Sequence, residues 1–161
     1  MKKTIILLAS VVFTAALAFT ACNKTKMYSN RLDGGDWKVT ELSVDGKNEA
    51  ELPKWNIGEC DVYNETCTGN WKNDHDHTAK FIWQFREKGK KFEISNQSKV
   101  EDVTAGLIGD MFFHAEELAD QCVNFSGVYN VLEHKKKMMK FESTSTIGFP
   151  GQKVIISIEK Q

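Results

Sequence analysis

From Asp36 to the end of the chain, apolar and polar residues alternate with a period of two, which is the pattern of half-buried β-strands. The alternation slips by one position between Val39 and Leu42, as it does at a β-bulge. The pattern predicts strands over residues 37–44, 57–63, 68–72, 81–86, 92–94, 123–131, 139–141 and 154–158.

Most of these strands are joined by short turns, among them Asp45-Gly46, Lys88-Gly89 and Pro150-Gly151. An antiparallel up-and-down series of this kind removes its exposed edges when it closes into a barrel. The sequence therefore predicts an all-β fold, an eight-stranded antiparallel up-and-down barrel. An open sandwich is the alternative.

One segment, residues 104–120, has helical rather than strand periodicity and predicts an amphipathic helix inserted between barrel strands. Two roles remain open for it: a lid that buries its apolar stripe on the barrel rim, or a docking helix with Phe113 as an exposed anchor. Its acidic polar face argues against direct membrane binding. The stripe consists of Leu107, Ile108, Met111, Phe112, Ala115, Leu118 and Ala119, and the acidic face of Asp110, Glu116, Glu117 and Asp120.

The first residues have the pattern of a secretory signal, with Lys2 and Lys3 followed by an uncharged run from Thr4 to Phe19. That run is shorter than the roughly 20 apolar residues of a membrane span. Its last residues, Phe19-Thr20-Ala21-Cys22, resemble the lipobox of bacterial lipoproteins, in the relaxed form found in Bacteroidetes. The resemblance implies that Cys22 carries a diacylglycerol thioether after cleavage in front of it. A plain signal with a chance cysteine is the alternative.

These assignments divide the chain into a lipoprotein signal peptide (1–21), an acylated tether (22–34) and a barrel domain (35–161). Loss of Lys2 and Lys3 lowers the formal charge from −1 to −3, so there is no basic excess to suggest a nucleic-acid partner. Lipoproteins exported to the cell surface in Bacteroidetes tend to carry acidic residues after the acylated cysteine, whereas Lys24 and Lys26 follow here. The resemblance therefore implies the periplasmic face of the outer membrane.

The first predicted strand opens with Gly34-Gly35-Asp36-Trp37-Lys38-Val39-Thr40, which resembles the Gly-x-Trp opening of lipocalins and of lipocalin-like lipoproteins of Bacteroidetes. The resemblance implies a barrel with the tryptophan at its closed end and an interior that holds a small hydrophobic molecule. Alternatively, the inward aromatic residues simply fill the core. The candidate ligand-binding residues are Trp37, Phe81, Trp83, Phe85, Phe92, Phe125, Tyr129 and Phe141.

Candidate catalytic groups are sparse: the sequence has no nucleophile elbow, no phosphate-binding glycine loop and no zinc-protease helix. We therefore expect neither an enzyme nor a bound cofactor. His75 and His77 would share a face if their segment were a strand, which gives a two-ligand clamp for zinc or copper, but a solvated hairpin tip fits the segment better. A second cluster, Asp110, His114 and Glu117, has the spacing of one helical face.

Three further cysteines lie in the barrel domain. In an oxidising compartment Cys60 and Cys67 are close enough in sequence to form a disulfide. Cys122 is then a buried thiol, with pairing to Cys60 or Cys67 as the alternative.

Two functions follow from these features. The first is a lipid-anchored envelope lipoprotein whose barrel binds a small hydrophobic ligand. The second is a non-enzymatic accessory lipoprotein that docks on an outer-membrane protein assembly.

Overall fold

The period-two pattern is realised as nine antiparallel strands in the computed structural model, which describes residues 24–61 and 66–161. The two-residue β2 pairs with the end of β1. The other eight strands form a barrel in chain order, closed by pairing of β1 with β9. The predicted barrel is thereby confirmed. The strands are β1 (Gly35–Val44), β2 (Lys47–Asn48), β3 (Lys54–Asp61), β4 (Thr66–Lys72), β5 (Thr78–Arg86), β6 (Lys91–Asn96), β7 (Gly127–Lys135), β8 (Met138–Ser145) and β9 (Pro150–Lys160).

The predicted bulge in β1 is also present. The register of β1 against β9 shifts between Val39 and Glu41. Because a bulge inserts one extra residue, it restores the inward direction of the side chains that follow. Val39 and Leu42 are consequently both fully buried.

Helices occupy both ends of the barrel. Residues 24–32 form α1, and the β6–β7 connection contains α2 (Val100–Thr104) and α3 (Gly109–Asn124). We call the end where β1 begins the α1 end, and the opposite end, where the β4–β5 loop and the β6–β7 connection lie, the α3 end.

Several sequence-based boundaries differ from the structure. The single helix expected over residues 104–120 is divided into α2 and α3. Residues 24–32, expected to be part of a tether, form a helix that buries Tyr28 and Leu32. Val123 and Phe125 were expected on a strand face. Val123 instead lies in α3, which runs to Asn124, and Phe125 caps the end of this helix before β7 begins at Gly127. The apolar face of α3 continues through Cys122, and its packing on the barrel outweighs the local alternation. Cys22 and the signal peptide lie outside the described residues.

Trp37 is at the α1 end and is fully buried. Its indole N–H donates a hydrogen bond to the carbonyl of Leu32 at 3.2 Å, and the Lys160 ammonium lies 5.6 Å from the ring centroid. Gly34 and Gly35 have φ angles of +64° and +114°, which other residues rarely adopt, so the chain can turn sharply from α1 into β1.

α1 is fixed to the barrel by contacts with β7. The Tyr28 ring lies 3.7 Å from the His134 ring, centroid to centroid, and Arg31 Nη1 lies 2.9 Å from His134 Nδ1. Because a guanidinium only donates hydrogen bonds, Nδ1 must accept and the imidazole must be neutral. Desolvation, with the charges of Arg31 and Lys24 adding to it, lowers the pKa of His134.

The predicted disulfide is confirmed: Cys60 and Cys67 lie directly opposite each other on β3 and β4 and are bonded. Cys122 is a free, fully buried thiol in the last turns of α3. Burial raises the pKa of this thiol to about 12.

Replacing Cys60 and Cys67 together by alanine should lower the free energy of unfolding by about 2–3 kcal/mol, because the disulfide restricts a short loop in the unfolded chain. Urea denaturation measures the difference. Alkylation with iodoacetamide before and after unfolding supplies the second readout. Cys122 should react only after unfolding, and a Cys122 that reacts in the native protein would contradict the burial described here.

Acidification should loosen α1. The folded-state pKa of His134 lies below the unfolded value of about 6.5. Between these two pKa values the unfolded state binds more protons than the folded state, so stability is lost as the pH falls from the unfolded pKa toward the folded one. Hydrogen exchange at pH 7.5 and pH 5, corrected for intrinsic rates, should show a loss of protection in residues 24–32. His134→Gln keeps an acceptor for Arg31 but cannot be protonated, and should remove the difference; the same pH response in both proteins would refute this mechanism.

Candidate functional site

The interior of the barrel is filled by aromatic side chains. The rings of Phe92 and Phe141 stack at 4.4 Å, and that of Trp55 lies 5.4 Å from those of both Trp71 and Phe81. The predicted inward residues are all buried, with exposed fractions between 0 and 6 %: Trp37, Phe81, Trp83, Phe85, Phe92, Phe125, Tyr129 and Phe141. Trp55 and Trp71, which the sequence reading did not include, join them at 0 %.

A surface cavity of about 430 Å³ lies at the α3 end. Three segments frame it: the β2–β3 loop, the β4–β5 loop and the middle of α3. The lining residues are Ala50, Glu51, Leu52, Pro53, Asn73, Asp74, His75, His114, Glu117, Leu118 and Gln121.

Asn73 joins the β4–β5 loop to α3. Its side-chain amide donates to the carbonyl of His114 at 3.1 Å, and its side-chain oxygen accepts from the backbone N–H groups of His75 and His77, each at 3.1 Å. On the far side, the side-chain amide of Gln121 donates to the carbonyl of Glu51 at 3.3 Å. Both loops are thus attached to α3 by hydrogen bonds.

The cavity contains part of each histidine cluster seen in the sequence. His75 lines it, and its ring stacks on that of His114 with centroids 3.8 Å apart and planes 17° apart. His77 lies at the base of the loop with a buried Nε2 that has no hydrogen-bond partner among the described residues. A metal clamp formed by His75 and His77 stays a prediction.

In the second cluster, Glu51 takes the place expected for Asp110. The ligand atoms of Glu51, His114 and Glu117 all lie within 4.8 Å of one another. Glu51 is remote in sequence from α3, and no motif or spacing relates it to His114. Only the strand order that places the β2–β3 loop beside α3 unites them.

The cavity is strongly acidic. Among the described residues that line it there is no lysine or arginine. Asp74 is paired with Lys54 at 2.8 Å, outside the lining, and this hydrogen bond lowers the pKa of the Asp74 carboxyl. No ion pair within the described part of the chain involves Glu51 or Glu117.

α3 is buried along one part of its apolar stripe and exposed along another. Ala115, Leu118 and Ala119 are at most 2 % exposed and cover the barrel. Ile108 and Met111, expected on the same buried stripe, are instead 85 % and 44 % exposed. The helix packs on the barrel only from about Ala115 onward, so the residues before it lack a surface to bury against. Leu107 and Phe112 are half-buried.

Phe113 is exposed, as the docking alternative expected, at 64 %. Ile108 and Met111 are the other large apolar side chains exposed near the beginning of α3, and we call this segment (residues 108–113) the apolar tip of α3. Met111 and Phe113 are two positions apart and therefore project to different sides of the helix. Phe113 also lines a second surface cavity of about 320 Å³, whose walls include Glu116 and Asp120.

The α1 end carries a cluster of lysines. Exposed lysines gather there from α1, the β5–β6 turn and the β7–β8 turn: Lys24, Lys26, Lys88, Lys90, Lys135, Lys136 and Lys137. Of the acids in these segments, Glu133 is paired with Lys135. The chain therefore enters the barrel domain from Cys22 at a basic end and carries the apolar tip at an acidic end.

The chain matches no protein-family model, no curated protein and no solved structure. The resemblance to lipocalin-like lipoproteins accordingly stays a prediction. None of the helices that the structure describes combines the length and apolar character that a membrane span requires.

Leu118 and Phe113 offer a matched test of the two parts of α3. Leu118→Asp buries a carboxylate against the barrel and should lower the free energy of unfolding by several kcal/mol. Phe113→Asp makes the same change on the exposed side and should alter it by no more than about 0.5 kcal/mol. Thermal and urea denaturation measure both. Equal effects would show that the two faces of α3 are not distinguished as described.

Proposed function

We propose that this protein is a lipid-anchored lipoprotein of the cell envelope that acts as a non-enzymatic accessory module, docking on an outer-membrane protein through the apolar tip of α3. Cys22 is the anchor, and the periplasmic face of the outer membrane is the proposed location. The observation that carries the proposal is the placement of the apolar tip at the barrel end opposite to α1, the first element after Cys22.

The basic α1 end supports this orientation. Lysines near a bilayer are attracted to anionic headgroups, by about 1 kcal/mol each close to the surface. A barrel anchored just before residue 24 would present this end to the bilayer. Its α3 end would then face away from the lipid, where the apolar tip can reach a protein but not the membrane.

The partner can be described by its chemistry. Carboxylates accompany the apolar tip: Asp110 lies within it in the sequence, and Glu116 and Asp120 line the cavity that Phe113 also lines. A complementary surface is an apolar groove with lysine or arginine at its rim, because complementary charges steer association and exclude wrong partners. Phe113 would be the central anchor, since hot spots of interfaces are commonly large side chains buried in a pocket.

A hydrophobic ligand inside the barrel is the other proposal from the sequence. It would require rings such as Phe92 and Phe141, now in contact, to move apart. Refilling a close-packed interior in this way costs stability. The geometry therefore favours the accessory role.

Site-specific photocrosslinking tests the docking proposal in cells that make the full-length protein. A benzophenone amino acid at position 113 should form one dominant crosslink to an envelope protein. The same probe at Leu132, which is 48 % exposed on β7, is the matched control and should not. Equal crosslinking at both positions, or none at 113, would contradict the proposal.

Two arms complete the experiment. Cys22→Ser should abolish labelling of the protein with an alkyne analogue of palmitate and also the crosslink, because the anchor brings the tip to its partner. Charge reversal Asp110→Lys beside the tip should weaken the crosslink more strongly at low salt than at high salt, since exposed charges are screened. Palmitate labelling that persists without Cys22 would contradict the anchor.

A further inference from the structure

We infer that the cavity at the α3 end is a binding site for a divalent transition-metal ion, with Glu51, His114 and Glu117 as its protein ligands. Two carboxylates and an imidazole are a ligand set suited to zinc and its neighbours, whereas calcium takes six to eight oxygen ligands. The inference does not rest on the proposed docking role, although Glu117 also lines the second cavity beside Phe113.

The distances are close to those that coordination needs. The ligand atoms lie within 4.8 Å of one another. Around a tetrahedral ion with bonds of about 2.1 Å, ligand atoms are separated by roughly 3.4 Å. Glu51 and Glu117 are exposed and their side chains have several rotatable bonds, so small rotations bring their oxygens within range.

The unbalanced charge of the cavity points to a cation. Two like charges held this close repel each other. Here the described lining contains none, and the nearby Lys54 is already paired with Asp74. A divalent ion would neutralise both carboxylates at once.

The surroundings also hold the imidazole ligand in place. His75 stacks on the ring of His114 and restricts its rotation, while Asn73 links the His75 loop to the backbone of His114. Outer contacts of this kind orient metal ligands and commonly tune affinity. The two loops are joined to α3 by hydrogen bonds of Asn73 and Gln121, so the site has a fixed frame before any ion binds. His75 is thus a positioning residue.

Calorimetric titration of the oxidised mature chain, residues 23–161, with ZnCl2 tests the inference; these residues contain the entire closed barrel. One ion should bind per chain. His114→Ala and the double variant Glu51→Gln/Glu117→Gln should each lose more affinity than the about 10- to 100-fold typical of losing an outer contact. The loss of zinc affinity in His75→Ala should stay within that range of about 10- to 100-fold. Asp110→Asn, a carboxylate on the same helix outside the cluster, is the matched control and should bind as the parent does.

Visible absorption with CoCl2 gives a readout that does not depend on heat, because d–d bands report the ligand geometry around the ion. The parent and Asp110→Asn should show them, and His114→Ala should not. Thermal melting without metal shows whether a variant has lost its fold rather than its metal ligands. The double variant Glu51→Gln/Glu117→Gln removes the repulsion between the two carboxylates and should melt no lower than the parent. Absence of zinc binding, binding that survives the loss of His114 or of both glutamates, or tighter binding of CaCl2 than of ZnCl2 would each overturn the assignment.

Discussion

The pairing of β1 with β9 is the constraint on which the rest of the structure depends. It joins the first and last barrel strands, so each barrel strand has a neighbour on both sides. An eight-stranded barrel has an interior only wide enough for side chains or one small molecule. Once closed, this barrel encloses its aromatic residues, and Trp37 with α1 covers one end while α3 covers the other.

The closed barrel also explains why the connections carry the candidate chemistry. Its strands fix the ends of every loop, so a loop needs few contacts of its own to adopt one conformation. Asn73 supplies such contacts in the β4–β5 loop, and the long β6–β7 connection places α3 beside it. Side chains from the β2–β3 loop, the β4–β5 loop and α3 can therefore lie close together although none of these segments contains a recognisable sequence motif.

Features that depend on residues close together in the sequence could be predicted, whereas features that depend on packing between distant segments could not. The strands, the bulge after Val39 and the Cys60–Cys67 bond depend on neighbouring residues, and the alternation and spacing of those residues predicted them correctly. The end of α3 and the helical state of residues 24–32 depend on packing against the barrel, and the sequence reading missed both. Glu51 lies close to His114 only because the strand order places the β2–β3 loop beside α3. Helical spacing alone therefore indicated Asp110, a neighbour of His114 on the same helix, in place of Glu51.

The charge distribution follows the same logic. The net charge of −1 is close to zero, and the sequence contains no long run of residues with the same charge. Folding separates the charges, because α1 and the β5–β6 and β7–β8 turns bring lysines to one end, while the β6–β7 connection brings carboxylates to the other. In the proposed function, this asymmetry would orient the protein at an anionic surface, since one end would be attracted and the other repelled. Orientation and the proposed anchor would then act together, because α1 precedes the barrel at the end that such a surface would attract.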